Sequence, residues 1–289
     1  MKIAIVGGYG QMGRWLARFL LKDGKEVTLI GRNERKLAQA STELGGVAAT
    51  TDVSAVKNAD VILLSVSMDS FEEVVKQIAR HTHTGQYIID ITSIKASPVE
   101  AMHKHVKKGV VLGTHPMFGP GARSLKGQNV VLTPTNPAED SLAQKVKNYL
   151  EAKGAIVTSM SPREHDETMA ITLGLSHFIA MVSADTLLSL DKLEQSRKIA
   201  GTTFKVLLTL IEGVVSHEPA FYANLQTSLD VDGIEQLFQE NARTWAELIK
   251  NKDKAEMVRR VKLVRERLEK DNPDFGKAYD DMYQMIDGK

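Results

Sequence analysis

The sequence contains no cysteine, and this absence excludes disulfide bridges, thiolate nucleophiles, zinc ribbons and iron–sulfur ligation. It also lacks an excess of charge, because 37 Lys and Arg residues against 36 Asp and Glu residues leave a formal charge of +1. A chain with this balance has no surplus of cations to neutralise a nucleic-acid backbone or an anionic membrane. We therefore expect no nucleic-acid partner, and the missing thiols fit a reducing, intracellular compartment.

Long apolar runs are scarce as well. The longest stretch without an acidic or basic side chain, residues 169–184, includes Gly174, Ser176 and His177 and is too short and polar for a comfortable membrane span. We expect it to form a buried helix. The first residues read as a strand and not as a signal peptide. The sequence therefore predicts no membrane association and a cytoplasmic location.

The 289 residues are enough for about two domains. Up to about residue 160, short β-branched runs alternate with amphipathic segments, the pattern of a parallel sheet covered by helices. We predict strands at residues 3–6, 26–30, 61–66, 87–91, 110–113, 129–133 and 155–158. Beyond residue 162 the strand signals stop, and helical patterns occupy residues 167–190, 198–215, 231–250 and 253–270.

A glycine-rich motif follows the first predicted strand. It consists of Gly8, Tyr9, Gly10, Gln11, Met12 and Gly13, which is G-x-G-x-x-G between a strand and a helix, the context that a dinucleotide pyrophosphate requires. The alternative is a glycine-rich turn that binds nothing. We predict an α/β fold, with a Rossmann-type doubly wound parallel sheet in an NAD(P)-binding domain at residues 1–162. An all-α domain at residues 163–289 would carry substrate contacts and, through its apolar helices, a homodimer interface.

Basic residues follow the second predicted strand, where an NAD-specific site places an acid. Arg32 and Asn33 stand at this point, Arg35 follows, and Glu34 is the one acid nearby. Arginine pairs with a 2′-phosphate, so NADP is favoured over NAD, unless these residues only form a solvated first turn of helix. Further cofactor contacts are predicted in the segment that ends the strand at 61–66, at Ser65, Val66 and Ser67.

Two polar segments follow later strands, at the sheet edge where open α/β sheets bind ligands. The first is Asp90-Ile91-Thr92-Ser93-Ile94-Lys95, and the second runs from Gly113 through His115 to Gly121. An imidazole titrates near neutrality, which suits His115 to general acid–base work, although a lone loop histidine is often only structural.

Taken together, these motifs resemble the prephenate dehydrogenase family, which also contains arogenate and cyclohexadienyl dehydrogenases. The similarity continues through Glu164-His165-Asp166, Gly174-Leu175-Ser176-His177-Phe178 and Ser196-Arg197-Lys198, and so covers most of the chain. The resemblance implies oxidative decarboxylation of prephenate to 4-hydroxyphenylpyruvate in tyrosine biosynthesis, with a nicotinamide as hydride acceptor. The basic residues after the second strand favour NADP as the form of that cofactor.

The resemblance also implies residue roles. The catalytic pair would be His115, which assists deprotonation of the substrate hydroxyl, and Ser93, which orients it. Lys95 would bind a substrate carboxylate, and His177 and Tyr222 would lie at the substrate pocket, although both are also explained by core packing. No metal is predicted, because His103 and His105 point to different faces of their predicted helix.

One position departs from the family pattern. A family arginine that binds the side-chain carboxylate of the substrate is replaced by Gly213. Lys205, Arg197 or Lys198 are candidate substitutes. The alternatives are therefore arogenate or another small hydroxy acid as substrate, or a catalytically inactive NADP-binding regulatory protein.

Overall fold

A computed structural model describes residues 1–216 and 218–287. The chain divides into two compact units, Met1–Met169 and a second that begins at Ala170. The sequence predicts the division after residue 162. In the structure, residues 163–169 pack with the first unit, where Asp166 accepts hydrogen bonds from the backbone N–H groups of Lys95 and Ala96.

One sheet organises the first unit. Its strand order is β3-β2-β1-β4-β5-β6-β7-β8. The strands are β1 (Lys2–Val6), β2 (Glu26–Ile30), β3 (Ala48–Thr50), β4 (Val61–Leu64), β5 (Tyr87–Asp90), β6 (Val110–Pro116), β7 (Asn129–Thr133) and β8 (Ile156–Ser159). The helices are α1 (Gln11–Lys22), α2 (Glu34–Glu43), α3 (Met68–Ala79), α4 (Ala96–His105), α5 (Pro137–Glu151) and α6 (Pro162–Met169), with a 3₁₀ segment at Val53–Asn58.

Apolar side chains cover both faces of this sheet, as expected where helices pack on both sides of parallel strands. One core joins α1 and α5 to alternate residues such as Ile5, Leu63 and Ile89. The other joins α3 and α4 to the intervening residues, such as Ile62 and Ile88. The predicted α/β fold is confirmed, and the carboxyl ends of β1, β2, β4 and β5 meet at one edge.

Two features of the sheet differ from the prediction. β3 was not predicted, because its three residues are exposed or half-buried and include two alanines, which carry no strand signal. β7 pairs with β6 in the antiparallel sense, so the sheet is mixed, with β8 parallel to β7.

The second unit is helical throughout its described residues. It contains a π-helical turn at Ala170–Leu175, followed by α7 (Ser176–Ser189), α8 (Leu193–Lys198), α9 (Thr202–Val215), α10 (Pro219–Ser228), α11 (Asp232–Lys250), α12 (Lys254–Asp271), a 3₁₀ turn at Phe275–Lys277 and α13 (Ala278–Asp287). The sequence missed α8, α10 and α13, which are short and weakly patterned.

The apolar helix expected to be buried is largely not buried within one chain. Ala180 is the fully buried residue of α7, while Leu188 is 65% exposed. The helical stretch Pro162–Ser189 has the length and composition of a membrane span, with 11% of its apolar window buried. Exposed apolar surface of this kind marks an interaction surface.

Candidate active site

The loop between β1 and α1 is packed tightly against the end of β4. Gly7 has a φ of +83°, and a Cβ there would lie 2.1 Å from the carbonyl oxygen of Ser65. A Cβ on Gly13 would lie 2.6 Å from the carbonyl oxygen of Gly7, so α1 packs directly on the loop. The motif predicts the tight turn at Gly8, but the left-handed residue is Gly7. Gly8 instead lacks room for a side chain, since Leu29 would lie 2.8 Å from its Cβ.

The start of α1 fits a dinucleotide pyrophosphate. Gly10 occupies the N-cap position without a side-chain cap, and the first turn contains no acidic residue. Helix geometry leaves the N–H groups of this turn without intrahelical acceptors, at the positive end of the helix dipole. Gln11, Met12 and Gly13 therefore present backbone donors to an anion, while the N–H of Gly10 donates to the carbonyl of Gly7 at 2.9 Å and closes the turn.

The end of β2 carries the predicted phosphate-binding cations. The ring of Tyr9 lies over Gly31, whose Cβ would be 2.5 Å from a ring carbon. Arg32 follows and is exposed, and Arg35 is exposed in the first turn of α2. The side chain of Asn33 caps α2 by accepting from a backbone N–H at 2.9 Å, so its oxygen is already used.

The third predicted cofactor segment lies beside the glycine loop. The N–H of Ser65 donates to the end of β1 at 2.8 Å, and a Cγ of Val66 is 3.1 Å from where a Cβ on Gly7 would stand. Ser67 occupies the N-cap position of α3. The structure thus brings the predicted cofactor residues of β1, β2 and β4 to one edge.

A buried ion pair lies at the carboxyl end of β5, between Asp90 at the end of the strand and Lys95 before α4. Asp90 and Lys95 are both fully buried, and Nζ of Lys95 donates to the Asp90 carboxylate and, at 2.7 Å, to the carbonyl of Thr114. The second carboxylate oxygen of Asp90 accepts from the N–H of Thr92 at 2.7 Å. Burial raises the pKa of Asp90 and lowers the pKa of Lys95, and their mutual attraction opposes both shifts. The sequence predicts that Lys95 binds a substrate carboxylate; in the structure its ammonium is enclosed and paired with Asp90.

His115 begins a chain of hydrogen bonds that ends at α4. Its Nδ1 lies 2.9 Å from Nε2 of His165, and Nδ1 of His165 lies 2.7 Å from Oδ1 of Asp166. The two oxygens of Asp166 accept from the N–H groups of Lys95 and Ala96, at 2.7 and 2.8 Å, at the start of α4. The histidines are 5% and 0% exposed, so the contacts are shielded from water.

This chain links the proton position on His115 to Asp166. Burial disfavours ionisation of Asp166, but hydrogen bonds from His165 and two backbone N–H groups outweigh it and hold the pKa of Asp166 below its ordinary 3.8. In the tautomer of His165 that donates to this carboxylate through Nδ1–H, Nε2 of His165 is the acceptor. In that tautomer His115 donates through Nδ1–H, which leaves the lone pair on its Nε2.

Burial also lowers the pKa of His115 well below 6.5, and the nearby charge of Lys95 acts in the same direction. The imidazole is therefore neutral at neutral pH. Among the described residues, none hydrogen-bonds to Nε2 of His115. The arrangement presents a neutral, oriented base, the form needed to accept a proton from a hydroxyl group.

The side chain that contacts His115 is not that of Ser93, which the sequence predicts to orient it. Ser93 lies half-buried in the loop between β5 and α4, and within the described part of the chain its side chain makes no hydrogen bond to His115. His165 holds the ring instead. His165 belongs to the Glu164-His165-Asp166 motif. A histidine beside an acid was the sequence feature that could have pointed to a hydrogen-bonded pair at this position.

The second unit brings two predicted residues together. The rings of His177, in α7, and Tyr222, in α10, meet edge to face with centroids 4.7 Å apart. Burial raises the pKa of Tyr222, so its hydroxyl stays protonated. An imidazole and a phenol in contact form a polar spot in an otherwise apolar helical unit.

The region around Gly213 leaves one candidate for the missing arginine. Gly213 lies in α9 with open space where a Cβ would stand. Arg197 is ion-paired with Glu212, and Lys198 with Glu194 at 2.6 Å. Of the three cations proposed from the sequence, Lys205 is the one with no ion pair to the residues that the structure describes.

Comparison with known proteins covers both units. A family model described as the nucleotide-binding domain of prephenate dehydrogenase matches residues 16–159, and one described as its dimerization domain matches residues 161–263. A probable arogenate/prephenate dehydrogenase of Methanocaldococcus jannaschii is 35% identical over 266 residues, which are 91% of this chain and 60% of that protein. The T-protein of Haemophilus influenzae is 27% identical over 78% of this chain and 55% of its own length. The chain thus spans little more than half the length of these relatives.

Solved structures show the same fold. Prephenate dehydrogenase from Aquifex aeolicus, in complex with hydroxyphenyl propionate and NAD+, has a TM-score of 0.78 at 22% identity and covers 94% of this chain and 98% of its own. Arogenate dehydrogenase from Synechocystis has a TM-score of 0.72 at 21% identity and covers 94% of this chain and 100% of its own.

Proposed function

The chain belongs to the prephenate dehydrogenase family, and we propose that it catalyses the NAD(P)-dependent oxidative decarboxylation of prephenate to 4-hydroxyphenylpyruvate in tyrosine biosynthesis. The observation that carries this proposal is His115, a buried neutral imidazole whose Nδ1 is held by His165 at 2.9 Å and whose Nε2 stays available. An oxidation at a carbon that bears a hydroxyl group needs such a base.

Hydride transfer and proton transfer are assigned to different parts of the first unit. A nicotinamide dinucleotide, with its pyrophosphate held by the loop at Gly8–Gly13, would supply the hydride acceptor. His115 accepts the hydroxyl proton at Nε2, while Asp166 and His165 hold the imidazole in the tautomer that can do so. The Lys95–Asp90 pair fixes Thr114 and the start of α4, and so keeps His115 and Asp166 in place. Loss of the ring carboxylate as carbon dioxide follows because it makes the ring aromatic.

Arg32 supports NADP as the preferred cofactor. It is exposed directly after β2, with Arg35 one turn on, and β2 ends without the acid that would hold a ribose 2′-hydroxyl. A guanidinium binds a phosphate in a bidentate manner, which a 2′-hydroxyl cannot reproduce. NAD would then bind more weakly.

The proposed substrate contacts come from the second unit. His177 and Tyr222 are proposed to contact the substrate, and Lys205 to meet its side-chain carboxylate in place of the arginine absent at Gly213. The glycine at position 213, where the family has an arginine, leaves arogenate or another hydroxylated small acid whose side chain differs as a second candidate substrate.

The test is the appearance of reduced nicotinamide when purified protein meets prephenate or arogenate, each with NADP and with NAD. Turnover of prephenate with NADP preferred is the expected result. Preference for arogenate would move the assignment to the second substrate. Absence of turnover in protein that binds NADP would instead identify a binding protein that has lost the activity.

We further propose a cytoplasmic homodimer that forms through the second unit. Leu188, Leu190 and Ile199 are 65%, 63% and 86% exposed, and residues 161–263 match a dimerization domain. Burial of such side chains against a second copy is favourable by about 25 cal/mol per Å². Light scattering should give twice the mass of one chain, whereas a monomer or insertion into lipid vesicles would contradict the proposal.

A further inference from the structure

An apolar cavity of about 390 Å³ lies in the first unit, on the face of the sheet opposite His115. It lies between α1 and α5, over β4 and β5. Leu63 and Ile89 form its floor, and Trp15, Phe19 and Tyr149 form its walls. Protein interiors are close-packed, with few voids larger than a water molecule, so an apolar space of this size has the dimensions of a ligand site.

The charged residues at this cavity have one sign. Within the described chain, the charged side chains that line it are Lys25 and Lys145. Lys145 donates to the hydroxyl of Tyr87 at 2.9 Å and has no ion pair to a described carboxylate. Lys25 lies 3.4 Å from Asp23, which Lys153 also pairs with. Two lysines thus share one carboxylate, and Lys145 adds a cation that nothing neutralises.

The cavity therefore has a polar end and an apolar end. Lys145 lies beside Tyr87 at the amino end of β5, and Nζ of Lys25 lies 5.8 Å from the ring centroid of Tyr149 on α5. The lining continues along β5 through Ile89 to Ile91 and Thr114. Four residue steps along a strand span about 13 Å. The shape and charge fit a molecule with an anionic head and a narrow apolar body.

We propose that this cavity is a second binding site, which takes a small amphipathic monocarboxylic acid. Its carboxylate lies at Lys145 and Lys25, and its hydrocarbon body lies along β5 towards Thr114. A carboxylate gains charge-assisted hydrogen bonds from the ammonium groups, and the apolar body replaces missing contacts with the aromatic walls. The far end of the site is adjacent to the active residues, because Thr114 precedes His115 and accepts from Lys95.

Trp15 supplies a reporter for the test. The chain has two tryptophans, and the other, Trp245, lies in α11 of the second unit, so a Trp245→Phe background isolates the signal of Trp15. Decanoate is the probe, and decan-1-ol is its uncharged match. Saturable change of Trp15 emission by decanoate is expected, with decan-1-ol at least about tenfold weaker, the equivalent of about 1.4 kcal/mol.

Variants then locate the site. Replacement of both Lys25 and Lys145 by glutamine should weaken decanoate binding about tenfold or more and leave decan-1-ol within twofold. Lys147→Gln is the matched control, because Lys147 is on the same helix but paired with Glu151. Ile89→Phe, which fills the floor, should abolish both signals. A missing response, equal affinity for acid and alcohol, or decanoate binding unchanged in the double lysine variant would overturn the proposal.

Discussion

Replacing His165 with phenylalanine tests the chain of hydrogen bonds behind His115. Phenylalanine keeps most of the ring volume but removes the acceptor that lies 2.9 Å from Nδ1 of His115. Because His115 is 5% exposed, its Nδ1–H then stays unpaired or the proton moves to Nε2. An unpaired buried donor costs about 1–3 kcal/mol. The account therefore predicts a fall in kcat of about 10- to 100-fold, since about 1.4 kcal/mol is a factor of ten.

The assay is steady-state production of reduced nicotinamide, with kcat and KM measured separately. KM should change little, because His165 is fully buried and contacts His115 rather than ligand. His165→Gln, whose amide oxygen can accept the same hydrogen bond, should recover part of the rate. His105→Phe, which removes a histidine bonded to Glu72 away from the site, is the matched control. A folded His165→Phe variant with unchanged kcat would refute the orienting role.

Three further outcomes follow from the same geometry. Burial disfavours the charged form of His115, so activity should persist as the pH falls past 6.5 and should be lost only when the pH falls to the lowered pKa of His115. A profile of kcat/KM against pH with its acid midpoint at or above 6.5 would contradict this. Lys95→Gln leaves the buried Asp90 without its counter-charge and should lower the free energy of unfolding, measured by urea titration, by about 3–5 kcal/mol. A raised KM with unchanged stability would instead support a substrate-binding role for Lys95. Arg32→Asp should lower kcat/KM for NADP at least about tenfold and spare NAD, with Arg18→Asp on α1 as the charge-matched control; equal losses for both cofactors would remove the 2′-phosphate contact.

The fold was largely predictable because its signals are local. Strands such as Val61–Leu64 are continuous apolar runs, and the glycine motif is a six-residue pattern that lies where β1 meets α1. The direction of β7 was not predictable, since hydrophobic patterning does not specify how neighbouring strands pair. Ala48–Thr50 became a strand through pairing with β2, a contact that its own residues do not signal.

The sequence predicts residues of the proposed site but not the contacts between them. The motifs identified His115, yet its partner His165 is 50 positions away, and the fold alone brings the rings together. From the sequence alone, Lys95 resembles a free cation. The structure shows that its side chain is buried and that its charge is paired with the carboxylate of Asp90. Gly7 was overlooked because the motif begins one residue later, while the backbone requires its positive φ.

The most direct test of the account is the turnover of His115→Asn measured beside its affinity for NADP. Asparagine cannot accept the hydroxyl proton as imidazole does, and His115 takes no part in the cofactor loop. We expect production of reduced nicotinamide to fall about 10²- to 10⁴-fold, while the Kd for NADP stays within about twofold. Turnover equal to that of the wild-type protein would contradict the claim that His115 is the base.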